Sequence, residues 1–326
     1  MKVPAESPTI DWTRLEQVIR RDPGKRGLAS YVVDDGRALL TGELQNAAKS
    51  LAARGSRVLI VTGFCIVLPD GTTTAETDGP PGAIYLAAML RAAGIDAVIA
   101  TDDLGGPLVR AGLAAMQLPR ALLVDAESAD YSHLIAIERV GPSHTTASIA
   151  AMYGAESSMT AEFKNLIAEH DRGVCRNMRG VSLDAYTAPL HRLFENAPVT
   201  TTTIGIVDGG NEIGCGKIPW DVLRRAVAQG SGAQIACRVE TNYSILAGVS
   251  NWGGYALGAA VAALRGHRDA VEAWTVDKQR SLIEAMVRDG GAVDGVTKHR
   301  EATVDGLPLD EYLAVFDEIR RIALGV

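Results

Sequence analysis

The run Asp208-Gly-Gly-Asn-Glu212 places two carboxylates, an amide and two consecutive glycines within five residues. Carboxylates so close together can exchange protons with a substrate or hold a hard cation. Glycines tolerate positive φ and let backbone N–H groups come close to a ligand. The run follows Thr202-Thr-Ile-Gly-Ile-Val207, whose β-branched apolar character predicts a buried strand. A strand that delivers this set of groups at its carboxyl end predicts a ligand site, because open α/β sheets bind ligands there.

Other apolar runs end in the same way. Val58–Val61 leads into Thr62-Gly63, Ala97–Ala100 into Asp102, His133–Ile137 into Glu138-Arg139, and Gln234–Val239 into Thr241-Asn242. If these strands are parallel, their polar ends share one edge of the sheet. The acids there, Asp208, Glu212 and Glu138, are the candidates for catalysis. Glu76 and Asp78, in Glu76-Thr-Asp-Gly-Pro-Pro-Gly82 ahead of a helix, join Asp208 and Glu212 as candidate metal ligands. Asp78 is also a natural helix N-cap. A second glycine-rich loop, Gly248-Val-Ser-Asn-Trp-Gly-Gly254, offers Asn251, and a polar cluster runs from Asp294 to Gly306.

The elements that must position these groups alternate strand with helix, which predicts βαβ units and a largely parallel sheet covered on both faces. The runs are continuously apolar, as buried parallel strands should be. The expected fold is therefore α/β and doubly wound, one large domain over residues 1–326 with a helical lead-in at about 10–56. Within it, Ala121–Val124 reads as a short strand, Ala83–Ala93 and Trp220–Gln229 as helices, and the Ser/Thr-rich segment 141–160 as a lid loop.

The net charge of −7 argues against nucleic acid or an anionic membrane as partner, since both need a basic face. Four scattered cysteines without a C-x-x-C pair read as reduced thiols in the cytoplasm. The N-terminus has no apolar h-region, and the apolar run at 253–264 is shorter than the roughly 20 residues that span a bilayer. No P-loop, G-x-G-x-x-G, G-x-S-x-G or H-E-x-x-H pattern occurs, so no nucleotide cofactor is expected and a metal would be held by oxygen. That favours Mg²⁺ or Mn²⁺. A metal-dependent hydrolase or phosphatase and a non-catalytic small-molecule regulator both fit the residues as far as this. A homo-oligomer remains open.

Taken together, Val58-Leu-Ile-Val-Thr-Gly-Phe64, Glu76–Ala83, Asn177-Met-Arg-Gly180, Asp208–Gly214 and Ala247-Gly-Val-Ser-Asn-Trp-Gly-Gly254 resemble the D-glutamate cyclase family, in its C-terminal catalytic-type domain. The resemblance implies interconversion of D-glutamate, a small amino acid, with 5-oxo-D-proline and water. For that reaction Gly209 and Gly210 are expected to offer oxyanion N–H groups. Arg139 or Asn251 is expected to hold the α-carboxylate, and Thr62, Gly63, Asn211 and Asn242 to line the substrate. Where the family has Met this chain has Cys215, which marks Cys215 as a packing residue.

Overall fold

In the computed structural model, residues 9–34, 36–125, 130–227 and 232–326 are described. Among the described residues seven strands form: β1 (Arg57–Thr62), β2 (Cys65–Val67), β3 (Thr73–Ala75), β4 (Asp96–Ala100), β5 (His133–Ile137), β6 (Thr202–Val207) and β7 (Tyr243–Leu246). Five of them make one parallel sheet in the order β4-β1-β5-β6-β7, and β2 and β3 pair as a small antiparallel ribbon. The chain leaves β1 for β4 on one side and returns to β5 on the other. The carboxyl ends of β1 and β5 therefore flank the topological switch point, where such sheets open a crevice.

Alternate strand residues face opposite layers. Val58, Ile60, Ile135, Ile137, Ile204 and Ile206 pack with helices Glu43–Arg54, Pro80–Ala92, Ser250–Leu264 and Leu309–Leu324. Leu59, Val61, Leu134, Ala136 and Val207 pack with Ile149, Phe163, Trp220 and Leu223 on the other side. Both faces are covered, as the apolar runs predicted. The lead-in forms helices Trp12–Ile19 and Glu43–Arg54, the first capped by Asp11.

Helices Pro80–Ala92 and Ser250–Leu264 cross closely because small residues line their contact. A methyl group on Gly254 would lie 3.2 Å from the Gly82 Cα, and one on Gly258 would lie 3.2 Å from the Leu86 Cα. This crossing sets the amino ends of the two helices side by side beneath the sheet edge.

Five local expectations are corrected. Residues 121–124 do not form a strand: Arg120–Leu122 is a 3₁₀ turn after Pro119, and only Leu123 bridges to Ile99. The last strand is β7 and not 234–239. Gly232–Ile235 is helical, and Ile235, Cys237 and Val239 are buried by layer packing without joining the sheet. An apolar run of that length does not distinguish the two cases. Segment 141–160 is not a loop throughout. Thr145 and Ser157 cap helices Thr146–Tyr153 and Ser158–Leu166, so its Ser/Thr content reflects caps. The helix expected at 83–93 begins at Pro80, with both prolines in its first turn. The helix from Trp220 ends at Ala226, and residues 228–231 lie outside the described residues. No helix among the described residues is long and apolar enough to cross a membrane.

Candidate active site

A cavity of about 510 Å³ opens at the switch point, and Glu76, Glu138, Asp208, Glu212 and Asp305 all line it. All five are buried. Asp208 belongs to two carboxylate groups, Asp78–Asp208–Asp305 and Glu138–Asp208–Glu212; in each, one oxygen per residue lies within 4.8 Å of the others. The acids predicted at the ends of β5 and β6 thus converge, while Asp78 sits behind Asp208 and off the cavity wall.

The loop after β6 is clamped to the segment after β5. Ile213 N–H donates to the Arg139 carbonyl at 2.9 Å, and Gly141 N–H to the Asn211 carbonyl at 3.0 Å. That pairing sets Glu138 beside Glu212. Glu138 itself holds a left-handed φ of 44°, uncommon for a side-chain-bearing residue and typical of sites where strain is tolerated. Glycine at position 79 makes room for it: a methyl there would lie 2.8 Å from both the Glu138 Cβ and the Thr62 Oγ1.

Asp78 fulfils its capping expectation on a different helix. Its Oδ1 accepts the N–H groups of Gly79 at 3.0 Å and Asn251 at 2.8 Å, and its Oδ2 accepts Ser250 N–H at 2.9 Å. Asn251 returns the contact, its Oδ1 accepting from Gly79 N–H at 3.0 Å and Gly82 N–H at 2.7 Å. Its Nδ2 donates to the Thr77 carbonyl. Asn251 is therefore occupied by protein and does not line the cavity.

Several predicted binding groups are likewise engaged. Gly209 and Gly210 donate their N–H groups to Glu212 Oε1 and Oε2, each at 2.8 Å. They hold a carboxylate in place of an oxyanion, because Glu212 lies within a local turn's reach of both. Arg139 is 1% exposed and donates to Asp102 at 2.6 Å, to the Gly63 carbonyl and to the Ala188 carbonyl. It braces the ends of β1, β4 and β5 and is absent from the cavity wall. Thr62 and Gly63 lie behind that wall. Asn242 precedes β7 instead of following a strand, and its Oδ1 accepts from Thr203 N–H at 2.8 Å at the amino end of β6, the edge opposite the site. Asn211 does line the cavity. Its Nδ2 donates to the Arg176 carbonyl, and its Oδ1 has no partner.

Sequence reading missed the cation at the centre. Arg26, from the lead-in, binds Asp305 with both terminal nitrogens at 2.9 and 2.7 Å and approaches Asp208 Oδ2 at 3.4 Å. Asp305 ends a loop that Asp294 organises by accepting N–H groups from Val296, Thr297 and Gly306. Asn177, Met178, Arg179 and Lys298 complete the wall. The only signals were the Asn177–Gly180 motif and the C-terminal polar cluster, neither of which follows a strand.

Burial, followed by the charges of Asp208, Glu212, Asp78 and Glu76, pushes the Glu138 carboxyl well above the usual carboxylate range. Burial with Asp305 and Asp78 does the same to Glu76. Asp208 is also raised by burial, against the opposing pull of Arg26. Such a cluster must retain protons or take up a cation. Glu138 Oε2 is buried without a hydrogen-bond partner, and the ligands on offer are all oxygen, so the set fits Mg²⁺ or Mn²⁺. The thiols do not compete for this chemistry. Burial pushes Cys215 well above its ordinary value, and all four cysteines are buried.

Residues 15–320 match the family model described as D-glutamate cyclase-like, C-terminal. The human (Homo sapiens) protein described as "D-glutamate cyclase, mitochondrial" is 32% identical over 273 residues, covering 76% of this chain and 38% of that relative. The chain thus spans well under half the length of the curated relative it matches. With nearly its whole length accounted for by the family model, the chain belongs to the D-glutamate cyclase-like, C-terminal family.

Proposed function

We propose that the chain is a hydro-lyase interconverting D-glutamate and 5-oxo-D-proline plus water, assisted by Mg²⁺ or Mn²⁺. The observation that carries this reading is the pairing of Asp208 and Glu138, two facing carboxyl groups in unequal surroundings. Burial raises both carboxyl groups, but Asp208 lies 3.4 Å from the Arg26 guanidinium, whose charge opposes the rise. Glu138 Oε2 has no partner, and neighbouring carboxylates favour its protonated form.

Ring closure needs such a pair. The substrate ammonium must lose two protons as its nitrogen bonds to the γ-carbon, and the departing oxygen must gain two to leave as water. Asp208 takes the first proton from the amine while Glu138 delivers one to the leaving oxygen. Glu138, now ionised, then takes the second proton from nitrogen and Asp208 passes on its own, so both end as they began. General acid–base help of this kind is worth about 10²–10⁴-fold. Glu212 and Asp208, with Glu138 through the oxygen that does not carry the proton, would hold the cation, whose charge would neutralise the γ-carboxylate and make it an electrophile. The free Asn211 Oδ1 suits an N–H of the amine or the lactam. The cavity volume lies within the range of small-molecule sites. Four free, buried cysteines suit a reducing compartment such as the cytoplasm.

The test is incubation of the purified protein with D-glutamate, L-glutamate or 5-oxo-D-proline, with and without Mg²⁺ or Mn²⁺, followed by chiral chromatography. Lactam formation from D-glutamate that a chelator abolishes is the expected result. No conversion in either direction under any of these conditions would sink the reading.

A further inference from the structure

Two carboxylate groups that share one member, as Asp78–Asp208–Asp305 and Glu138–Asp208–Glu212 share Asp208, have the outline of a two-metal site, in which the ions lie about 3.5–4 Å apart. We propose instead that this cavity takes one divalent cation, at Glu138–Asp208–Glu212, because the Arg26 guanidinium is a built-in cation at the other group. The inference rests on the metal-assisted reading above and specifies its stoichiometry.

The oxygens of the two groups differ in what they already hold. Asp305 is gripped at both oxygens by Arg26, at 2.7 and 2.9 Å, and the guanidinium is further fixed by the Gly248 carbonyl at 3.2 Å. Asp78 accepts three N–H donors at 2.8–3.0 Å, from Gly79, Ser250 and Asn251. An ion placed there would have to displace those donors and sit against a permanent positive charge, since arginine does not deprotonate in proteins. The other group contains Glu138 Oε2, which is buried and has no partner, and Glu212 Oε1, which accepts a single N–H. Its residues face the cavity, whereas Asp78 does not. An orphaned buried oxygen beside two carboxylates is a place prepared for a cation. A fork-shaped cation already matched to a carboxylate leaves no such place.

Arg26 comes from the segment between the two lead-in helices, 279 residues from Asp305. Its loop is fixed by Asp22, which accepts N–H groups from Arg26 at 3.0 Å and Gly27 at 2.8 Å. The lead-in thereby supplies a permanent component of the site.

The experiment is titration of chelator-treated protein with Mn²⁺, read by calorimetry, by metal content after dialysis and by electron paramagnetic resonance. Wild type should bind one Mn²⁺ per chain, with the signal of an isolated ion. Arg26→Met should bind two, with spin coupling between them. If Arg26→Met does not fold, Asp305→Asn and Glu138→Gln decide the matter. Asp305→Asn should keep one ion, while Glu138→Gln should weaken binding at least about tenfold, as loss of a ligand's support does. Two ions in wild type, a single ion in folded Arg26→Met, or the reverse ranking of Asp305→Asn and Glu138→Gln would overturn the inference while leaving a metal in the site. No Mn²⁺ at all would instead bring down the metal-assisted reading, and this inference with it.

Discussion

Asp78 and Asn251 cap each other's helices. The carboxylate that precedes helix Pro80–Ala92 accepts N–H groups at the start of helix Ser250–Leu264, and the amide of the second helix accepts N–H groups at the start of the first. Two helix amino ends are satisfied without water, and their partial positive charge is directed at Asp78 and, through Ser250 N–H at 3.0 Å, at Asp208. The glycine-lined crossing of the helices makes this exchange geometrically available. The carboxylate cluster is therefore built on fixed backbone donors and not on loop conformation.

Asn251→Ala should consequently act on stability. It leaves the Gly82 N–H and the Thr77 carbonyl without their partner, while Gly79 N–H keeps Asp78, at about 1–3 kcal/mol for each orphan. Urea unfolding should show a loss of at least about 2 kcal/mol. Unchanged stability with a raised KM for D-glutamate would mean that Asn251 contacts substrate instead.

Glu138→Gln should separate catalysis from folding. The substitution keeps size and removes a carboxyl that burial and four neighbouring acids push well above the usual carboxylate range. Turnover should fall at least about 10²-fold, the lower end for a catalytic acid. The thermal midpoint of the metal-free protein should hold or rise, because one member of a repelling cluster is gone. A variant retaining full turnover removes Glu138 from the mechanism.

Asp208→Asn and Glu212→Gln should differ from one another, although both acids stand in one motif. Asp208→Asn should retain the fold and lose at least about 10²-fold in turnover. Glu212→Gln has one carbonyl oxygen to offer two glycine N–H groups, so one of them loses its partner at a cost of about 1–3 kcal/mol. Equal stability of the two variants, measured by urea unfolding, would contradict the turn assigned to Glu212.

The sequence made the carboxyl edge of the sheet readable for a physical reason. Buried parallel strands must be apolar throughout, so the first polar residues after Ile137 and Val207 had to fall at that edge. The same logic failed for Asn242, because the apolar run before it packs between layers and the true strand comes after it. Arg26 was invisible, and Asp305 stood only within a polar cluster that a surface loop explained equally well, because each is set by a loop and meets the other only after the whole chain has folded. The roles of Gly209 and Gly210 were half legible. Their N–H groups do converge on an anion, but the anion is Glu212, three and two residues further along.

Stability should fall on the acid side through two buried histidines. Burial, then Arg54, lowers His133 to about 4, and burial, then Arg238, lowers His144 to about 4. Their folded values lie below the unfolded value near 6.5, so the unfolded state binds protons first as pH falls. The resulting stabilisation is complete above that unfolded value and is lost progressively from about pH 6.5 towards pH 4. His133→Gln should flatten the decline of the thermal midpoint across this window. An unchanged slope would show that His133 does not titrate differently on folding.

On the proposed reaction, Arg179 is the cation left to receive a substrate carboxylate. Of the three basic residues on the cavity wall, Arg26 is held by Asp305 and Asp208, and Lys298 donates to the Val67 carbonyl at 2.7 Å. The Arg179 backbone is fixed, since Asn177 Oδ1 accepts from both Arg179 and Val181 N–H at 3.0 Å, while Gly180 turns the chain with φ of 79°. Its exposed guanidinium carries no hydrogen bond or ion pair to the described residues. A charge-assisted bond from such a group is worth about 1.5–3 kcal/mol, or about 10–100-fold in affinity. Arg179→Met should raise KM for D-glutamate by at least about tenfold and change kcat little, because the α-carboxylate takes no part in ring closure. Arg179→Lys should recover part of the loss by restoring charge without the fork. A KM unaffected by Arg179→Met would transfer carboxylate recognition to the Arg26–Lys298 side of the cavity.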